Sequence, residues 1–194
     1  MCRQICWLGV FCLATMITRP AQAAFHLWTL NEIYTNSSGS LQFIELKDPS
    51  GGQNIIGGQQ ISVSNVGNTQ THVFTLPAGN LPGNTFNHDL LFGTTAIQAS
   101  GGPSPDFIIP DNFLFSGGGT INFFGANSGA YSALPTDSVL SRTWAGGDAV
   151  NSPQNFAGQV GVVPEPSTFA LSISAAVCFS LVLLRRRAAR LRLA

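Results

Sequence analysis

Between residues 27 and 144 apolar positions recur in short runs, and clusters of glycine, proline, asparagine or serine close each run. Residues 27–34 and 41–48 are two such runs. The turn cluster Thr35-Asn36-Ser37-Ser38-Gly39-Ser40 separates them, which predicts two adjacent strands. In the second run Leu41, Phe43 and Glu45 share one face while Ile44 and Leu46 take the other. Both faces are partly apolar, as in a central strand, so Glu45 is expected to be half-buried, with Lys47 its nearest partner in sequence on that face. Residues 55–66 carry a Gly57-Gly58 break and then alternate strictly, Ile61 and Val63 against Ser62 and Ser64; residues 71–76 alternate His72, Phe74 and Leu76 against Thr71, Val73 and Thr75. Joined across Gly67-Asn68, these two runs predict a β-hairpin. Further strands are expected within 86–92, 107–115, 120–124 and 139–144. Seven or eight short strands, with no helical period over ten residues inside this body, predict an all-β sandwich formed by residues 24–144. Over 145–162 apolar content drops and Gly, Asn, Pro and Gln dominate, which predicts a linker.

The two ends of the chain follow a different pattern. Arg3, an apolar run of 13 residues at 5–17 and the small-x-small triplet Ala21-Gln22-Ala23 predict a secretory signal peptide over 1–23, cleaved after Ala23. Near the other end, residues 169–184 form 16 consecutive uncharged, largely apolar positions, a helix of roughly 24 Å. With Ser167, Thr168 and snorkelling arginines completing the span, this predicts one transmembrane helix. Arg185, Arg186, Arg187, Arg190 and Arg192 follow it and predict a cytoplasmic tail with the preceding chain outside.

The order Val163-Pro164-Glu165-Pro166-Ser167-Thr168, a single apolar helix, then an arginine cluster resembles the PEP-CTERM sorting signal of Gram-negative bacteria. The resemblance covers about the last 30 residues, with the signal over 163–190. It implies that an exosortase, a membrane-embedded transpeptidase, recognises Val163, Pro164, Glu165 and Pro166 and removes the helix and basic tail. The chain would then be a substrate, held in the inner membrane before processing and delivered afterwards to the cell surface or extracellular matrix.

Charge and cysteine usage divide along the same boundaries. The formal net charge of the whole chain is zero, yet residues 24–160 hold eight acids against only Lys47 and Arg142, a net of −6. Such a body opposes nucleic acid, whose partners carry basic patches. Cys2, Cys6 and Cys12 lie in the predicted signal peptide and Cys178 in the predicted helix, so the exported body has no disulfide, thiolate nucleophile or cysteine metal site. Stability must come from a hydrophobic core, and 137 residues suffice for one. Eleven of the 14 phenylalanines fall in this body, which favours a packed core over disorder.

A second resemblance lies at the first two strands. Asn31-Glu32-Ile33, then Phe43-Ile44-Glu45-Leu46, then Ile56-Gly57-Gly58 is similar to the opening of a lamin-tail domain, with Gly58-Gln59 where that family usually has Gly-Trp. It implies an immunoglobulin-like antiparallel β-sandwich with a binding or scaffolding role, in which Glu32 and Glu45 are structural and bond neighbouring strands or loops.

Chemistry-bearing constellations are few. His26, His72 and His88 have no metal-ligand spacing, and His72 sits on an apolar strand face, the setting of a packed histidine. His88-Asp89 has no Gly-x-Ser-x-Gly elbow to supply a nucleophile. Asp106 and Asp111 flank an apolar tetrad and read as solvated loop acids, without an EF-hand pattern. Trp28 and Trp144 are the candidates for a sugar-stacking platform. The leading expectation is therefore a non-enzymatic, structural or adhesive exported protein with no cofactor and no metal. The alternatives are a carbohydrate-binding module with exopolysaccharide as ligand, and a metal-assisted hydrolase, which would require at least three clustered acidic or histidine side chains.

Overall fold

The structure, a computed structural model, describes residues 25–163 other than 126 and 138, together with residue 179. The predicted signal peptide with Ala21 and Ala23, the positions Pro164, Glu165 and Pro166, and the arginines 185–187 lie outside the described residues. So does the predicted span 169–184 apart from Phe179. Among the described residues no helix is long and apolar enough to cross a membrane.

The described chain is predominantly β. Its strands are β1 (Thr29–Thr35), β2 (Gln42–Lys47), β3 (Gln60–Asn65), β4 (Thr71–Thr75), β5 (Asp89–Gly93), β6 (Phe107–Ile108), β7 (Gly119–Phe123), β8 (Asn127–Tyr131), β9 (Leu140–Thr143) and β10 (Gly147–Val150). One helical turn, α1 (Ala96–Ala99), follows β5. Six strands form one sheet in the order β10-β9-β1-β2-β5-β6 and four form another in the order β4-β3-β7-β8. Pairing is antiparallel except between β5 and β6, which run parallel.

The two sheets share one core. Ile33, Ile44, Leu46, Leu90 and Phe92 from the larger sheet meet Ile61, Val63, Ile121 and Phe123 from the smaller one, all at most 3% exposed. The hairpin across Gly67-Asn68 forms as expected: Asn65 N–H donates to Gln70 O at 3.1 Å and Asn68 N–H to Asn65 O at 3.0 Å. Asn68 adopts φ 56° and Gly67 φ 93°, conformations that asparagine and glycine accept at least cost. The smaller sheet is tied to the loop before it by Tyr131, whose hydroxyl accepts from Phe115 N–H and donates to Phe115 O, both at 3.2 Å. Tyr131→Phe leaves both of these backbone groups without that partner. We expect it to lower stability by about 1–2 kcal/mol, read as a shifted urea midpoint with unchanged slope.

β2 is central, flanked by β1 and β5, and its two faces serve two apolar clusters. Ile44 and Leu46 enter the shared core, whereas Leu41 and Phe43 pack with Tyr34, Leu91 and Ile97 on the opposite, outer face. In β1 the ladder shifts between Leu30 and Glu32, so that Leu30 opposes Leu46, Glu32 opposes Glu45 and Asn31 is the extra residue. This bulge resets the alternation. Leu30 and Ile33, three residues apart, both point into the shared core, which strict period-two alternation forbids.

The segment expected to be a linker is instead folded. Within 145–162, β10 pairs with β9 through Asp148 opposite Arg142 and Val150 opposite Leu140. Residues 151–163 then double back as a small hairpin, with Gln154 bridged to Val160 and Gly158 N–H closing onto Asn155 O at 2.9 Å. Asn151, Asn155 and Val163 are at most 4% exposed. Low apolar content misled the sequence reading because this segment is held chiefly by hydrogen bonds to its backbone. Two further corrections concern strands. Of the run 107–115 only Phe107 and Ile108 pair in a ladder, and β8 occupies a stretch, Asn-Ser-Gly-Ala-Tyr, with a single large apolar side chain.

Candidate functional site

Two places on the body carry more polar or aromatic organisation than packing requires. The first is the outer face of the six-stranded sheet. Adding the β1 bulge to the registers of β2 and β5 puts Glu32, Tyr34, Phe43, Glu45, Leu91 and Asp89 on this one face, and the hairpin 151–163 crosses it. Glu32 accepts from Ser152 N–H at 2.9 Å. Glu45 accepts from Gln154 N–H at 2.6 Å. Asp106 accepts from Phe156 N–H at 2.9 Å and from Leu91 N–H at 2.8 Å. Three carboxylates thus hold alternate residues of one extended segment, as neighbouring strands would in a sheet, but through side chains. Asn151 closes the far end, accepting from Val163 N–H at 2.7 Å, while the Val163 side chain packs with Tyr34, Leu41, Phe43, Leu91 and Ile97.

Burial shapes the acid chemistry of this face. Glu45, 2% exposed, has its pKa pushed up to about 7 by desolvation; the bonds from Gln154 and Asn31 oppose the shift, and the charges of Asp89 and Glu32 add to it. Desolvation likewise raises Asp106, against its two backbone bonds, and raises Asp89, against the ammonium of Lys47. Lys47 pairs with Asp89 at 3.1 Å, directly across the β2–β5 ladder, and not with Glu45 as expected. The partner of Glu45 on its own sheet is the Asn31 amide, which the bulge delivers.

The second place is the open side between β8 and β9, where the two tryptophans separate. Trp28 is fully buried and donates its indole N–H to Gln53 O at 3.1 Å, so it is a core residue and offers no face to a sugar. Trp144 is 42% exposed. Its backbone N–H donates to Asn31 O at 2.8 Å, and its ring lies over Gly129, where an added Cβ would come within 2.6 Å of Cζ2. Trp144 lines two grooves, one of about 380 Å³ with His26, Trp28 and Ser128 and one of about 260 Å³ with Ser132, Arg142 and Thr143.

His72 and His88 are structural partners, while His26 lines the larger groove. His72 Nδ1 bonds Phe113 O at 2.9 Å and its ring stacks on Phe115 at 4.5 Å. His88 Nδ1 bonds Phe156 O at 2.9 Å and stacks on the Phe156 ring at 4.5 Å, which fastens the hairpin at one more point. Among the described residues no three His, Cys, Asp or Glu side chains group so as to hold a metal ion. Asp106, read as a solvated loop acid, is engaged by two backbone N–H groups, and Asp48, fully buried, accepts from Ser50 and Gly51 N–H at 2.9 and 3.0 Å. Of the sequence-predicted site residues, Val163 is buried beneath the hairpin and Trp28 and Trp144 are not brought together into one platform. The lamin-tail resemblance gave Glu32 and Glu45 a structural role toward neighbouring strands or loops; what the sequence reading missed is Asp106 as the third acid and residues 151–163 as the segment they hold. Comparison with family models, with curated proteins and with solved structures finds no match to this chain.

Proposed function

We propose that this is an exported, non-enzymatic protein of the cell surface or extracellular matrix. Its body is an immunoglobulin-like sandwich with a structural or adhesive role, sorted through a C-terminal signal that an exosortase processes. The observation that carries the reading is that Val163, the residue directly before Pro164-Glu165-Pro166, is buried in the outer apolar cluster of the body. Among the described residues, every member of both apolar clusters and all three carboxylate contacts lie at or before Val163, so a cut beyond the Pro-Glu-Pro triplet removes none of them. The engagement of Glu32 and Glu45 with the backbone of a neighbouring segment agrees with the structural role that the lamin-tail resemblance implies for them. The acids of the body are bound to backbone amides or to Lys47 and Arg142 in most cases, which leaves the metal-assisted alternative without its cluster among the described residues.

Intact-mass measurement of the chain from its producer tests this. With the exosortase present, the expected mature chain starts at Ala24 and ends near Pro166. Without the enzyme, or with Pro164, Glu165 and Pro166 all changed to Ala, the tail through Ala194 is retained. A chain ending at Ala194 in every strain overturns the proposal.

A further inference from the structure

The exposed indole of Trp144 has no structural task that a smaller or more polar residue could not perform, yet three features fix its position. Its backbone is pinned to the β1 bulge through Asn31 O. Its six-membered ring comes so close to Gly129 of β8 that only the missing side chain leaves room for it. The ring also lines two grooves. A large aromatic surface held rigid and half in water meets the conditions for ligand stacking at low entropic cost.

The chemistry of the grooves selects the ligand. The larger is lined by no Asp, Glu, Lys or Arg among the described residues; His26, Ser50 and Ser128 supply polar groups, and Leu27, Pro49 and Phe123 apolar ones. The smaller offers Ser132 and Thr143; its one charge, Arg142, is already paired with Asp148 and bonded to Ser132 and Ala133 O. Among the described residues no unpaired Lys or Arg lines either groove, and the body around them carries a formal net charge of −6, so a polyanion is repelled. A peptide of ordinary affinity would bury several apolar anchors in a desolvated pocket, and both grooves are wide open to solvent, with polar groups beside their apolar walls. An uncharged pyranose fits both requirements: its axial C–H face meets the electron-rich face of the indole, and its hydroxyls exchange hydrogen bonds with neutral hydroxyl and imidazole groups. Two grooves that share Trp144 as a wall suit a chain of sugars with more than one unit in contact with this part of the surface.

We propose that Trp144, seated on Gly129, is the centre of a binding site for an uncharged polysaccharide, with the two grooves that it lines taking the neighbouring sugar units. This goes beyond the sorting proposal and does not depend on it.

The test is a fluorescence titration of the full-length chain in mild detergent with cellohexaose, mannohexaose, chitohexaose and, as the anionic comparator, a guluronate hexamer. At least one neutral hexasaccharide should produce a saturable blue shift that is insensitive to added salt. Trp144→Ala should weaken that binding by at least about tenfold in a chain that still melts cooperatively, and Trp144→Phe, which keeps an aromatic ring, should retain more of it. Gly129→Ala, which pushes the ring off its seat, should weaken it as well. Absence of saturable binding by all three neutral sugars overturns the site. Binding that survives Trp144→Ala, binding of the guluronate alone, or a shift that follows protein concentration without any sugar overturns it too.

Discussion

Replacing residues 151–163 with a Gly/Ser segment of equal length is expected to abolish cooperative folding of the body. The replacement uncovers the outer cluster of Tyr34, Leu41, Phe43, Leu91 and Ile97, each at most 1% exposed in the intact chain. At about 1.5–3 kcal/mol for complete exposure of each, even partial exposure competes with the roughly 5–15 kcal/mol that holds a typical domain together. It also strips Glu32, Glu45 and Asp106 of the backbone N–H groups of Ser152, Gln154 and Phe156. Water can then reach these carboxylates, which offsets part of the loss, but only by wetting the apolar neighbours as well. The variant should lack a sharp thermal transition, bind a hydrophobic dye and be cut rapidly by protease. A native-like melt would return the segment to the status of a linker.

Glu45→Gln is expected to stabilise the protein at pH 8 and to leave it almost unchanged near pH 4.5. A carboxyl that titrates at about 7 in the folded chain, against 4.5 ordinarily, binds its proton more tightly folded than unfolded. Wild-type stability contributed by this group is therefore complete below pH 4.5 and declines as pH rises to about 7. The loss is at most about 3 kcal/mol for a shift of that size, and Asp89 and Glu32, the neighbouring acids, act in the same direction. Glutamine keeps an acceptor for Gln154 N–H, and its amide can donate to Asn31 once the Asn31 amide turns over, so the variant behaves as a permanently neutral Glu45. Urea midpoints of both chains between pH 4.5 and 8.5 give the comparison. A gap that does not widen with pH, or a variant less stable at pH 8, contradicts the assignment.

The part of the fold visible in the sequence is the part that obeys period two. The alternation of Ile61, Ser62, Val63 and Ser64, the turn residues Gly67 and Asn68, and the two-faced β2 all reappear in the structure. What escaped depends on contacts distant along the chain or on local exceptions to the period. The Asn31 bulge moves Leu30 to the face of Ile33, and no pattern within β1 announces it. β8 and residues 151–163 hold few apolar side chains, and their order comes from partners in other elements. Trp28 and Trp144 look alike as tryptophans of two predicted strands; only the burial of one and the exposure of the other separate core from candidate site.

The carboxylate clasp also bears on the order in which the protein can fold. Glu32 meets Ser152 across a sequence separation of 120 residues, and Glu45 meets Gln154 across 109. Contacts of this range carry a large loop-closure cost and form late. A chain emerging from its N-terminus can pair β1 with β2 early, but both acids and the apolar outer face then wait for almost the whole body to follow. If the chain is exported from its N-terminus as proposed, the sandwich stays incomplete until residue 163 has crossed, and the last segment of the body to arrive is the one that locks the first.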